Sequence, residues 1–220
     1  MTGTLNASHR TLTPPRAAAF AGIIFAALMI ASLGIVRVTL PDNPASPGIW
    51  LAHSNARNAV RLALNLVPFA GVAFLWFMGV LRNRLGALED QFFATVFLGS
   101  GLLLVGSLFA SAAGAGALLQ ATPTVNIQPA DDKLYYFVQH LSHAFLNVFA
   151  IKMAGVFMFS TCTIALRTGL FPRWIAFTGF ICGVVLLLVI SNWLWIALLF
   201  PLWILLVSAQ ILVVGSTQRR

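Results

Sequence analysis

The sequence predicts an all-α membrane protein: a single transmembrane domain, residues 1–220, built as a bundle of six helices. Of the 220 residues, 60% are hydrophobic and only 8% are charged, against about 25% charged residues in a soluble domain. A helix needs roughly 20 apolar residues to cross a hydrocarbon core about 30 Å thick. Six apolar stretches of about this length, bounded by charges or by Pro and Gly, fill most of the chain. The predicted spans are residues 17–36, 62–81, 92–119, 137–166, 172–190 and 193–214.

The first span, residues 17–36, is predicted to be a retained helix. Arg10 and Arg16 precede it and would also suit a cleaved signal peptide. Its apolar run is longer than the roughly 7–15 residues of a signal-peptide core, however, and no clear small-residue cleavage site follows before Pro41.

Residues 37–61 are predicted to form a loop on the outer side of the membrane. Its first half contains three prolines and is expected to be irregular. Its second half, about Gly48–Ala59, is predicted to be a short amphipathic helix, which either extends the second span outward or lies on the membrane surface. The second span then ends at Arg82 and Arg84.

Small residues on the third and fifth spans predict close helix contacts. Gly106, Ala110 and Gly114 share one broad face of the third span, and Gly179 and Gly183 form a GxxxG pair on the fifth. In lipid, helices associate mainly through such close packing, because lipid tails are as apolar as the side chains. The neighbour is either another span of the same chain, or a second copy or another membrane protein.

Lys152 lies near the middle of the fourth span and is the most costly residue to keep there. A lysine at the bilayer centre costs roughly 2.5–3.5 kcal/mol on insertion scales, and all five acidic residues fall in predicted loops. Its ammonium is therefore expected to use backbone carbonyls, water, a lipid phosphate or an anionic ligand. Two interpretations stay open: a structural lysine, and a contact for an anion or substrate.

Other polar residues on the fourth span predict an outward-facing polar vestibule. On a regular α-helix, His140, His143 and Asn147 fall within a wedge of about 60°, and Lys152 projects about 150° from its centre. Polar groups on opposite faces predict that this span is the central helix of the bundle. Asn65, at an outer helix end, is the fifth candidate ligand-binding residue.

No metal, cofactor or catalytic residue is predicted. Two histidines at i and i+3, His140 and His143, can share a metal but need further ligands, and only His53 is available elsewhere on the outer side. The chain contains no nucleophile motif, phosphate-binding loop or HExxH pair. The protein is therefore not expected to be an enzyme.

The distribution of basic residues predicts that both termini are cytoplasmic. With this orientation, eight basic residues lie inside and four outside. The inner ones are Arg10, Arg16, Arg82, Arg84, Arg167, Arg173, Arg219 and Arg220, and the outer ones are Arg37, Arg57, Arg61 and Lys133. Although the net charge is +8, these residues sit singly or in pairs at span ends, where they anchor helices to lipid headgroups. The pattern predicts lipid contacts and no nucleic-acid partner.

Three stretches carry a resemblance to known sequences: residues 77–86 (FMGVLRNRLG), 91–101 (QFFATVFLGSG) and 167–174 (RTGLFPRW). In these stretches the chain resembles a group of bacterial six-helix integral membrane proteins of unknown function. The resemblance implies the helical fold and a location in the bacterial inner membrane, and it implies no site.

The sequence leaves three functional hypotheses. The first is a small permease or binding protein for an anionic or amphiphilic ligand that contacts Lys152, with His143 and Asn147 lining the approach. The second is a non-enzymatic scaffold or accessory subunit that packs its small-residue faces against partner helices. The least favoured is a metal or redox subunit that uses His140 and His143.

Overall fold

The computed structural model describes residues 14–39, 53–85, 91–121, 132–169, 172–188 and 194–217. These residues form six helices, which we number in chain order. They are α1 (Pro14–Thr39), α2 (Ser54–Leu85), α3 (Gln91–Ala121), α4 (132–168), α5 (Arg173–Leu188) and α6 (Leu194–Thr217). Helix α4 is continuous but changes type: Asp132–Ala144 is α-helical, Phe145–Ala150 is π-helical, and Ile151–Thr168 is α-helical.

Among the described helices, five are long and apolar enough to cross a membrane: α1, α2, α3, α4 and α6. This confirms the prediction of an all-α membrane bundle. The described part of helix α5 has 16 residues and reaches Leu188. At ~1.5 Å per residue it measures about 24 Å, less than a bilayer core. Positions 189 and 190 of that predicted span, and residues 48–52 of the predicted amphipathic helix, lie outside the described residues.

The six helices form a closed ring in which each helix packs antiparallel to its chain neighbours. Helix α1 packs on α2, α2 on α3, α3 on α4, α4 on α5 and α5 on α6, and α6 returns to α1. Ser32 donates a hydrogen bond to the carbonyl of Ala63 across the first pair, at 2.9 Å. At the closing pair, Gly22 of α1 lies against Ser208 of α6. We call the end of the ring where α1, α3 and α5 finish the distal end.

Phenylalanine side chains from five helices fill the centre of the ring. Phe25, Phe74, Phe97, Phe157 and Phe200 come from α1, α2, α3, α4 and α6, and all are buried. The ring centroids of Phe74 and Phe157 are 5.0 Å apart, and those of Phe97 and Phe157 are 4.8 Å apart. Tilted and edge-on pairs at these distances contribute about 0.5–1.5 kcal/mol each beyond their buried area. We call these five residues the phenylalanine cluster.

The distal ends of α2, α3 and α4 extend well beyond α5. Helix α4 has about 37 residues and a length of about 55 Å, and α5 packs on its Ile151–Thr168 part. Val60, Leu118, Leu119 and Tyr135 form a separate small core between the extended ends. Helix α2 starts at Ser54 and runs without a break into the predicted second span. The distal third of the bundle is therefore built mainly by the long helices.

Helices α4 and α5 approach each other at two glycines. A Cβ atom on Gly155 would lie 3.1 Å from the carbonyl oxygen of Gly183, and one on Gly183 would lie 3.4 Å from that of Gly155. Gly183 would also meet the ring of Phe159 at 3.0 Å. The GxxxG pair of the fifth span thus brings two backbones of the same chain together, as small residues do in membrane bundles.

The other small residues divide between internal packing and exposure. Gly114 packs on Ser142 of α4, and Gly179 packs between α4 and α6. Ala110 is half-buried, and Gly106 is exposed. Among the described residues, no atom lies within 4 Å of the position that a Cβ on Gly106 would take. The predicted faces of the fifth span, and Gly114 on the third, are occupied by the chain itself, whereas Gly106 faces outward.

Replacing Phe74 by Ala is expected to destabilise the protein by about 3 kcal/mol, because it opens a cavity in the phenylalanine cluster. The free energy of unfolding in mixed detergent micelles measures the effect. Phe69, on the same helix, has 68% of its surface exposed, and Phe69→Ala should change stability by less than about 0.5 kcal/mol. Equal losses in the two variants would contradict a packed centre.

Gly183→Leu is expected to separate α4 from α5 and to cost about 1–3 kcal/mol, because the added side chain meets backbone and the Phe159 ring. Gly106→Leu is the matched control and should leave the unfolding free energy of the monomer unchanged. If the control variant instead changes the mass of the purified particle, measured by light scattering, the Gly106 face of α3 is an interface.

Candidate functional site

Lys152 is bonded to the C-terminal end of α5. Its ammonium nitrogen donates to the carbonyl oxygen of Leu186 at 3.1 Å and to that of Leu187 at 2.6 Å. The last four carbonyls of a helix have no partner within the helix, and α5 ends one residue later, at Leu188. A cation also suits the negative end of the helix dipole. Of the partners expected for the ammonium, the structure therefore shows backbone carbonyls, at the end of a neighbouring helix.

The π-helical segment changes the direction in which Lys152 projects. Within Phe145–Ala150 the backbone bonds span five residues, and the Ile151 amide donates to the carbonyl of Leu146. Such a segment holds one residue more than an α-helix with the same number of turns. Since each residue of an α-helix turns the chain by about 100°, residues after the segment point about 100° away from where a regular α-helix would place them. Lys152 thus lies about 50° from the centre of the His140, His143 and Asn147 wedge, instead of about 150°. The prediction of polar groups on opposite faces is wrong, because it assumed a regular α-helix.

Four polar side chains follow one another along the distal half of α4: Tyr136, His140, His143 and Asn147. We call them the polar stripe. The rings of Tyr136 and His140 stack with centroids 6.4 Å apart. Asn147 Nδ2 lies 3.4 Å from His143 Nδ1. Asn147 is half-buried, and the other three are exposed.

The polar stripe continues the side of α4 on which α5 packs. Lys152 and Gly155 both contact α5 on this side, and the extra residue of the π-helical segment brings the polar stripe into line with them. Helix α5 ends at the level of Lys152. The described part of α5 therefore leaves the polar stripe uncovered, with Lys152 at its base.

The structure brings together four of the five candidate ligand-binding residues. His140, His143, Asn147 and Lys152 lie along one side of α4. Asn65 lies on α2 and is exposed, whereas the other four residues lie on α4. Asn65 is therefore not part of the polar stripe.

Histidines and cysteines do not assemble into a metal centre in the described part of the chain. No group of three or more His, Cys, Asp or Glu side chains there lies close enough to hold a metal ion. His140 is stacked on Tyr136, and His143 is bonded to Asn147.

Leu186 and Leu187 could not be identified from the sequence as partners of Lys152, since they contribute only backbone carbonyls. One sequence feature points to them: the last turn of the described α5 contains no basic residue, which favours a donor from another helix for its terminal carbonyls. The π-helical segment has no comparable signal, because its residues, Phe-Leu-Asn-Val-Phe-Ala, would also suit an α-helix.

No protein-family model, curated protein or solved structure matches this chain. The resemblance to bacterial six-helix membrane proteins therefore stays a prediction. The function has to be inferred from the site itself.

Lys152→Met is expected to reduce the free energy of unfolding by about 1–3 kcal/mol, because two carbonyls at the end of α5 lose their donor in a low-dielectric environment. Unfolding in mixed micelles measures the loss. Met153→Leu, at the next position of α4, is the control and should be nearly neutral. A Lys152→Met protein as stable as the wild type would show that the two hydrogen bonds contribute nothing.

Proposed function

We propose that this protein is a multi-pass protein of the bacterial inner membrane that binds the anionic headgroup of an amphiphile on the distal half of α4. We further propose that both termini are cytoplasmic, so that the polar stripe faces the outer side. The observation that carries the proposal is the alignment of His140, His143 and Asn147 with Lys152, above the end of α5. The activity is binding, without catalysis and without a cofactor.

The charges and donors around the site support an anionic ligand. Lys152 supplies a cation at the base, and the His143 ring and the Asn147 amide each carry a hydrogen-bond donor. The distal ends of α1, α2 and α4 carry Arg37, Arg57, Arg61 and Lys133. Residues 37–61 and 122–133 together carry these four basic residues and three acidic ones. With Lys152 added, an anion that approaches this end of the bundle meets a small excess of positive charge.

Exposed apolar side chains next to the polar stripe support an amphiphile rather than a small ion. Val148 follows Asn147 and has 50% of its surface exposed. Leu188, which follows a carbonyl partner of Lys152, has 72% exposed. A ligand with its headgroup on the stripe can lay an acyl chain along these side chains. This is the usual arrangement of a lipid at a membrane helix.

The phenylalanine cluster supports binding rather than transport. Phe74 and Phe157 occupy the centre of the ring on the proximal side of Lys152, and both are fully buried. A transported ligand would have to separate rings from five helices. We therefore favour a binding protein over a permease.

Native mass spectrometry of the detergent-purified protein tests the proposal. Wild type is expected to retain an anionic amphiphile, and His143→Ala/Asn147→Ala is expected to bind it about tenfold more weakly, because two hydrogen bonds are lost. Gln120→Ala, at the exposed distal end of α3, is the matched control and should bind like wild type. Equal binding by all three proteins would refute the site.

A deletion of Val148 tests the alignment itself. It removes one residue from the π-helical segment while every polar side chain of the site is kept. If the segment relaxes to an α-helix, the shorter helix makes the same number of turns, so Lys152 and the polar stripe stay aligned and the folded variant should still bind the amphiphile. Loss of the amphiphile from a folded variant would contradict the alignment as the basis of binding.

The exposed face of α3 supports a second candidate function, that of a scaffold or accessory subunit. Among the described residues, no atom lies within 4 Å of the Cβ positions of Gly99, Gly106 or Gly116. A second copy of the chain or another membrane protein could pack closely there. Light scattering on Gly106→Leu decides between this function and a monomer.

A further inference from the structure

We propose that Lys152 is a latch between the ligand site and α5. With the site empty, its ammonium holds the last turn of α5. When an anionic headgroup binds the polar stripe, the ammonium transfers its hydrogen bonds to the anion and releases that turn. This inference rests on the proposed function, and it adds that ligand binding regulates the α5 end of the bundle.

The competition follows from the positions of the two acceptors. Lys152 is bonded to the Leu186 and Leu187 carbonyls at the base of the polar stripe, where the headgroup is proposed to bind. The ammonium has three N–H donors, and two of them are on these carbonyls, so an anion that accepts more than one of its hydrogen bonds competes with the end of α5. Hydrogen bonds to an ionised oxygen are shorter and roughly twice as strong as those to a neutral one. An anion at this position therefore draws the ammonium away from the carbonyls.

Helix α5 is built so that only its distal end depends on Lys152. At its proximal end, Gly169 has a φ of 67° and stops α4, with its amide bonded to the Ala165 carbonyl. Trp203 Nε1 of α6 donates to the carbonyl of Ile175, near the start of α5, at 3.4 Å. The middle of the helix is held by the close contact of Gly183 with Gly155. Releasing Lys152 thus frees the final turn, while the remainder of α5 stays packed.

The sequence of α5 makes its last turn depend strongly on Lys152. Its last turn contains no basic residue that could bond the terminal carbonyls in place of Lys152. Leu188, the last residue of the helix, is largely exposed and adds little packing there. A helix end with few contacts can open and close while the rest of the protein stays folded.

Hydrogen–deuterium exchange of the full-length protein in lipid vesicles tests the latch. Three conditions are compared: phosphatidylcholine alone, phosphatidylcholine mixed with phosphatidylglycerol, and phosphatidylcholine with inorganic phosphate in the buffer. The readout is amide exchange in residues 184–188, with residues 174–179 of the same helix as the internal reference. Phosphatidylglycerol is expected to raise exchange severalfold in residues 184–188 and to leave the reference unchanged. A similar rise with inorganic phosphate would support the latch and assign the recognition to the anion, without the acyl chain.

Two variants connect the response to Lys152. Lys152→Met should exchange rapidly in residues 184–188 in all three conditions, since the turn is already released. Lys152→Gln can donate to a carbonyl but carries no charge, so it should show slow exchange that phosphatidylglycerol does not change. The Gln variant keeps the test valid if the Met variant does not fold.

The outcomes separate the latch from the binding proposal. If phosphatidylglycerol binds the wild type, and binding is weakened by His143→Ala/Asn147→Ala, but exchange in residues 184–188 is constant, the latch is wrong and the ligand site stands. If neither phosphatidylglycerol nor phosphate binds or changes the exchange, the proposed function and the latch both fail.

Discussion

The bundle depends on how a short helix ends among long ones. A helix in lipid has no water to satisfy its last carbonyl groups, and each unsatisfied group costs several kcal/mol. Helix α5 has only 16 residues and packs on the middle and proximal part of α4, far from the distal end of that helix. Its terminal carbonyls therefore need a donor from the bundle, and the ammonium of Lys152 supplies it. The same contact explains how a lysine is retained in the fourth span.

The π-helical segment makes this contact possible and creates the ligand site as a consequence. The distal part of α4 must keep Ser142 against α3, where Gly114 makes room for it. The proximal part must turn Gly155 and Lys152 toward α5. The extra residue in Phe145–Ala150 gives the distal and proximal parts of α4 the relative rotation that meets both requirements. Because of that rotation, His140, His143 and Asn147 lie in line with Lys152. Lys152 therefore belongs both to the ligand site and to the contact that holds the end of α5.

Much of the architecture could be predicted from the sequence, whereas the arrangement of the site could not. The apolar stretches predicted six helices, and Gly169 and Pro172 predicted the turn between α4 and α5, where the structure has a left-handed glycine followed by the first turn of α5. The four candidate residues on α4 could be named because polar groups in an apolar span are costly. Their mutual direction could not, because a regular α-helix was assumed. Asn65 was grouped with them by its depth in the membrane, but depth does not determine which helices are neighbours in the ring.

The sequence by itself determined that the chain is a helical membrane bundle, where its helices run, and that Lys152 needs an unusual partner. These conclusions follow from composition and from the cost of polar groups in lipid, which are local properties of the chain. Only the tertiary structure decided which partner Lys152 has, which glycines pack internally, and which side of α4 the described helices leave uncovered. These features depend on the relative rotation and depth of α4 and α5. Winding one segment of α4 as a π-helix instead of an α-helix changes that rotation by about 100°, and no single residue of the segment encodes the change.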